Sequence, residues 1–203
     1  MILQRAGSLR KSVSLSFMAS AFTHAFVAAA LGKAVSSEKM PLRFWMLGLF
    51  CTLLPDLDVI AFRLGIPYRH MFGHRGFSHS LTFALIVAVL VVLLAFKTVP
   101  SLSGRWWLLT GYFFAVTASH GVLDAMTAGG YGIAFFAPFD NTRYFLPWRP
   151  LVVSPIGVYG FFSRWGWRVI MSELLWIWIP TLMSLGVLLF FRRKDRPTPP
   201  SVP

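Results

Sequence analysis

From Leu81 to Phe96, and again from Leu174 to Phe191, the chain runs on without one charged side chain. Such stretches come close to the ~20 apolar residues a helix needs to cross the hydrocarbon core of a bilayer. Three further apolar runs cover residues 13–31, 44–62 and 106–126. Composition agrees: 56% of the 203 residues are hydrophobic and 13% charged, against about a quarter charged in a soluble domain. The fold expected is an all-α integral membrane protein with about five transmembrane helices plus interfacial loops and short helices.

No polar stretch is long enough for a second domain, so residues 1–191 read as one transmembrane unit and residues 192–203 as a basic, Pro-rich tail expected to be disordered. The N-terminal segment has a basic start (Arg5, Arg10, Lys11), an apolar middle and small residues, as a cleaved signal does. Thr23-His24 in mid-run argues for a retained helix instead. Residues 127–172 are aromatic and rich in Gly and Pro, which predicts loops and short interfacial helices, and Trp176 and Trp178 sit as an interfacial belt would.

The formal charge of +12 would suit a nucleic-acid partner, but the Lys and Arg residues lie in short links and tails between apolar runs. Membrane proteins put them there against anionic headgroups, and no nucleic acid is expected. Cys51 is the single cysteine, so no disulfide can form within the chain.

Against this background Phe72-Gly73-His74-Arg75-Gly76-Phe77-Ser78-His79-Ser80 stands out. It sets two imidazoles, a guanidinium and two hydroxyls at the lip of an apolar run, where polar groups are costly and call for a functional reading. Other polar groups recur along the runs: His24 within the first, Asp56 and Asp58 closing the second, His120 and Asp124 closing the fourth. If the runs alternate in direction, all of these lie on one side of the membrane. The chain has seven acidic residues, and three of them fall in these motifs. His120 and Asp124 are four apart and share a helical face. Asp56 and Asp58 converge only if the backbone beside Pro55 is extended rather than helical. His74 belongs to the link and His79 to the first turn of the third helix. Imidazoles and carboxylates without thiolates suit zinc, manganese or iron. The expected ligands are His24, Asp56, Asp58, His79, His120 and Asp124. His70 and Asp140 are additional candidates.

His24, Leu54-Pro55-Asp56-Leu57-Asp58, Gly73-His74-Arg75-Gly76-Phe77-Ser78-His79-Ser80 and Ser119-His120 with Asp124 resemble the motifs of the YdjM-like membrane-bound metal-dependent hydrolases, also described as LexA-regulated inner-membrane hydrolases. Arg143-Tyr144-Phe145-Leu146-Pro147 matches more loosely. The likeness spans roughly residues 20–150 and implies a bacterial-type inner-membrane location. The order His, Asp, His, then His-x-x-x-Asp is also similar to the zinc-dependent phospholipase C and P1 nuclease group. That likeness implies a phosphoester substrate and more than one metal ion, with Asp56 as a bridging ligand.

The expected activity is a metal-dependent hydrolase that cleaves a phosphoester of a phospholipid or other membrane lipid phosphate with a metal-activated water. One to three divalent ions, zinc foremost, would serve as cofactor. Asp58 would be a ligand or the base, His74 and Arg75 would be catalytic, and Arg75, Ser78, Arg143 and Arg149 would bind substrate, Arg75 through its planar fork. The alternatives are a divalent-metal transporter, a structural metal site, and hydrolysis of a lipid amide or ester. Five spans put the termini on opposite sides, and Arg192-Arg193-Lys194 mark the cytoplasmic end, so the ligands are expected to face away from the cytoplasm. Oligomeric state is not legible.

Overall fold

The computed structural model describes residues 19–36, 39–154 and 162–194. The basic residues Arg5, Arg10 and Lys11, the start of the first apolar run and the tail from Asp195 lie outside them. The described residues are helical and loop, with isolated bridges pairing Thr127 with Leu151 and Ile133 with Tyr144.

Helix α1 spans Ala21–Val35, its Ser20 cap accepting from the Thr23 N–H. Helix α2, Leu42–Leu53, passes through a 3₁₀ segment, Leu54–Val59, into the short α3, Ile60–Arg63. Helix α4 is Leu81–Ala95 and α5 is Gly104–Ala125, capped by Ser80 and Ser103. Helix α6, Arg164–Glu173, continues through a π-helical turn, Leu174–Trp178, into α7, Ile179–Lys194. The π turn has a local cause. Pro180 has no N–H, and its ring crowds the carbonyl four residues back. The widened turn, in which the Ile179 N–H reaches back to the Leu174 carbonyl, relieves this.

Two sequence expectations need correction. Asp56 and Asp58 lie on a 3₁₀ turn, not on extended backbone. Pro55 falls where a helical turn starts and its missing donor costs nothing, and Leu54 before it stays right-handed helical at φ −57°. The last helix begins at Arg164, ten residues before the apolar run. Its first turns, Arg164-Trp165-Gly166-Trp167-Arg168, carry too much charge to register as apolar.

Helix α5 is central and packs against α1, α2 and α4. Phe44 stacks on Tyr112 with ring centroids 4.3 Å apart, Phe113 packs edge-on to Phe44, and Val92 and Ala88 of α4 close the core. The Tyr112 hydroxyl donates to the Ala28 carbonyl, tying α5 to α1. The outside is inverted relative to a soluble bundle. Helix α4 buries Ala84, Val87, Ala88 and Val92 while exposing Leu85, Ile86, Leu90, Leu93 and Leu94, the distribution expected against lipid. The rods Leu42–Arg63 and Arg164–Lys194 are long and apolar enough to cross a membrane, with α1 and α4 as shorter apolar helices. The rods meet a cap of two loops, residues 64–80 and 126–153, cross-linked by Ala134 N–H to the Arg75 carbonyl and Leu81 N–H to the Phe135 carbonyl.

The last helix docks on α1 through an acid not singled out in the sequence. Glu173, 1% exposed, accepts from the Ser20 N–H (2.6 Å), the Ser20 hydroxyl (2.5 Å) and the Thr23 hydroxyl (2.8 Å). A carboxylate there also meets the positive end of α1, and Trp178 Nε1–H donates to Thr23 Oγ1. We expect Glu173→Ala to cost about 1–3 kcal/mol, because it strands buried donors. Thermal unfolding in detergent, followed by Trp fluorescence, should show a midpoint several degrees lower, and Glu173→Gln should lose less.

Candidate metal centre

The 64–80 link folds over the ends of α2 and α5, and its glycines permit the approach. A Cβ on Gly73 would stand 2.3 Å from the Pro67 carbonyl oxygen, and one on Gly76 2.0 Å from that of Met71. Between them Arg75 has left-handed backbone, φ 61°, a conformation uncommon for a residue with a Cβ and informative when it occurs beside a site. It sends backbone and side chain to different partners. The Arg75 N–H donates to Asp58 Oδ2 (3.0 Å) while the fully buried guanidinium sets Nη2 3.1 Å from Asp124 Oδ2 and donates from Nη1 to the Gly129 carbonyl (2.7 Å).

Asp56, His79, His120 and Asp124 each offer an atom within 4.8 Å of the others. His120 Nε2 lies 3.2 Å from Asp56 Oδ1 and 4.0 Å from Asp124 Oδ2, and His79 Nε2 lies 3.8 Å from each of those oxygens. His24 stacks on His120 with centroids 3.9 Å apart and places Nε2 3.8 Å from Asp124 Oδ1. Asp58, His74 and His79 form a second, adjoining group.

Hydrogen bonds fix which nitrogens face inward. His120 Nδ1 is 2.7 Å from the Thr52 carbonyl; a carbonyl only accepts, so Nδ1 carries a proton, and Nε2, 3.2 Å from Asp56 Oδ1, turns a lone pair toward it when the imidazole is neutral. His79 Nδ1 sits 3.1 Å from Asp58 Oδ2, which assigns its proton the same way and frees Nε2. This is the carboxylate–imidazole arrangement that orients metal-ligating histidines. Acceptors therefore face acceptors. His24 Nε2 and His79 Nε2 are buried without hydrogen-bond partners, and Asp124 Oδ2 has the Arg75 ion pair alone. Arg75 offsets one of the three carboxylates and, with neutral imidazoles, leaves two negative charges in a largely buried cluster. Uncompensated charge there is costly, and one divalent cation would balance it. The geometry fits: bonds of about 2.0–2.2 Å in a tetrahedral site set neighbouring ligand atoms about 3.3–3.6 Å apart, within the 3.2–4.0 Å of the histidine–aspartate distances.

Other expected residues sit differently. Asp58 meets the Arg75 N–H, the Ser78 hydroxyl (2.5 Å) and His79 Nδ1 through Oδ2 and His74 Nδ1 (2.6 Å) through Oδ1, so it organises the loop, and only Oδ1 keeps a lone pair for the adjoining group. Arg75 is turned inward onto Asp124, not outward to a headgroup. Ser78, expected to bind substrate, donates its hydroxyl to Asp58 instead. His79 lies on the 3₁₀ turn Phe77–His79, just before α4 rather than on its first turn, because Ser80 takes the cap. Arg143 spends its fork on the Tyr68 (2.8 Å), His70 (3.2 Å) and His74 (2.9 Å) carbonyls. Burial pulls the Arg143 guanidinium below its ordinary pKa and pushes the Tyr68 phenol above it. Arg149 is exposed over Phe145. His70 is exposed, its Nδ1 accepting from the Phe72 N–H. Asp140 accepts from the Thr142 N–H and the Tyr144 hydroxyl of its own loop. Sequence reasoning missed Thr52, whose carbonyl orients His120, and Ala19, whose N–H donates to Asp124 Oδ1. Backbone groups leave no signal in residue type. Glu173 did leave one, an acid beside an apolar run.

Because Gly76 admits the loop and Asp58 anchors it, we expect Gly76→Ala and Asp58→Asn each to lower the affinity for Zn²⁺ by roughly 10–100-fold. Competition with a chelating dye in detergent would measure this, with Asp140→Asn unchanged.

Comparison with known proteins agrees on family. The chain is 37% identical over 177 residues, 87% of its length and 100% of the relative's, to the inner membrane protein YbcI of Escherichia coli strain K12. No solved structure matches. The model of the YdjM inner membrane protein family matches residues 18–194. The chain belongs to that family and is an inner-membrane protein.

Proposed function

We propose that this protein is a membrane-embedded, metal-dependent hydrolase that cleaves a phosphoester of a phospholipid or other lipid phosphate. The observation that carries this reading is the uneven burial of the cage. The side chains of His79, His120 and Asp124 are fully enclosed, whereas that of Asp56 is 22% exposed. A structural metal site is closed on all sides, and a catalytic one keeps a position open. The aromatic core of Phe44, Tyr112 and Phe113 beyond the cage favours a pocket open on one side over a transport route.

In this reading the rods are five membrane spans of one domain over residues 1–191, with the cage at the end facing away from the cytoplasm. Asp56, His79, His120 and Asp124 would hold zinc, or manganese or iron in its place, with His24 behind them, and Asp58, His74 and His79 are the adjoining group that would take any further ion. The chemistry such an ion would supply is a more acidic water and a Lewis acid for a phosphoryl oxygen. The chain does the rest. Asp58 keeps His79 and His74 in their tautomers, and His74, with Nδ1 on Asp58, presents Nε2 for proton transfer, the base role the sequence assigned to Asp58. Arg75 holds Asp124 in line from the buried side.

The test is turnover by purified protein in nanodiscs on a panel of short-chain phospholipids and polyprenyl phosphates. Hydrolysis should be lost on chelation and return with Zn²⁺ or Mn²⁺. His120→Ala should fall by at least about 100-fold, beyond the 10–100-fold common for outer-sphere changes, with helicity retained. Undiminished turnover in His120→Ala would exclude the reading.

A further inference from the structure

With Arg75 locked onto Asp124, the cage needs another source of positive charge to hold an anionic substrate. Such a feature lies one layer outward. Arg69, Tyr131, Asn141 and Arg143 line an open cavity of about 290 Å³ where the two loops of the cap meet. The Arg69 guanidinium lies 4.6 Å from the centroid of the Tyr131 ring, which holds the charge in place without neutralising it. Asn141 Nδ2 reaches the Arg69 carbonyl at 3.5 Å, joining the two walls. Arg143 closes the inner side. Its Nη atoms are taken by carbonyls of residues 68–74, and its buried Nε has no hydrogen-bond partner. No carboxylate lines the cavity, and the neighbouring Asp140 is bound by Thr142 and Tyr144.

A series of contacts joins the cavity to the metal cage. Arg143 donates to the His74 carbonyl, and the His74 ring is bound to Asp58, which orients His79. We propose that the Arg69–Tyr131–Asn141–Arg143 cavity is an anion subsite that takes the phosphate of a phosphorylated ligand, with Arg69 as its selecting charge. The proposal rests on the lipid-phosphate reading above and gives it a headgroup position. The Arg69 fork can donate to two oxygens of a tetrahedral oxyanion at once, while Arg143, its Nη atoms held by carbonyls, adds its positive charge from the inner wall. The Tyr131 ring, 52% exposed, gives the ligand's glycerol or isoprenoid neck a surface to lie on.

The experiment measures binding, so it does not depend on turnover. Wild type, Arg69→Ala and Arg69→Lys, purified in neutral detergent, are titrated by calorimetry with dihexanoyl phosphatidic acid, with dihexanoylglycerol as the uncharged control, and with inorganic phosphate. Wild type should prefer the charged lipid over the control by at least 10-fold. Arg69→Ala should weaken phosphatidic acid binding by roughly 10–100-fold, the scale of losing a hydrogen bond to a charged group. Arg69→Lys should keep part of the preference, and zinc content should be equal in all three proteins. Displacement of the lipid by inorganic phosphate would assign the subsite to phosphate itself. Lipid binding that phosphate does not displace would assign it to a headgroup with its chains. Arg69→Ala binding as tightly as wild type, or no preference for the charged lipid, would overturn the proposal. If the binding difference stands while every preparation fails to turn over, the anion subsite survives and the hydrolase reading fails. If Arg69→Ala binds and hydrolyses with unchanged KM, the reverse holds.

Discussion

Lone pairs turned toward one another inside a protein are the constraint on which the rest of this structure depends. The Thr52 carbonyl fixes the proton of His120 on the far nitrogen, and Asp58 does the same for His79. Both imidazoles then point acceptors at two carboxylates. Such an arrangement repels itself unless a positive charge lies between. Arg75 supplies one charge, from a left-handed backbone that puts its guanidinium on Asp124. A divalent cation is the natural source of the rest.

The helices explain how residues so far apart in sequence come to share that point. His24 is in the first turn of α1, Asp56 and Asp58 follow α2, His79 precedes α4, and His120 and Asp124 end α5. Antiparallel rods return each of these to one end of the bundle. Lipid supplies little drive for helices to associate, so the small and aromatic contacts of α1, α2, α4 and α5, together with the Glu173 bonds to the start of α1, hold that end in register.

How much of this could be read in the sequence depended on the physics behind each feature. Apolar runs place helices well when the whole helix is apolar, as with α4, whose limits the sequence located to within a residue. The same rule missed the start of α6, where amphipathic turns precede the apolar stretch. The side of the bundle on which His24, Asp56, His79, His120 and Asp124 lie was legible because it needs only alternation. The division of labour among the carboxylates was not. Asp56 and Asp58 differ by two positions on a 3₁₀ turn, which sends one to the cage and the other into the loop. Arg75 looked like a substrate clamp because its planar fork of donors suits a phosphate. Its burial follows from Gly73 and Gly76, which bring the link down onto the helix ends.

The central claim is that imidazole nitrogens and carboxylate oxygens of the bundle end jointly hold a divalent cation. X-ray absorption at the zinc edge, on protein purified with zinc, tests it most directly. A first shell of nitrogen and oxygen at about 2.0–2.2 Å, with imidazole back-scattering that weakens when His79 is replaced by Ala, is the result this account expects. A shell containing sulfur, or zinc surrounded by water alone, would contradict it.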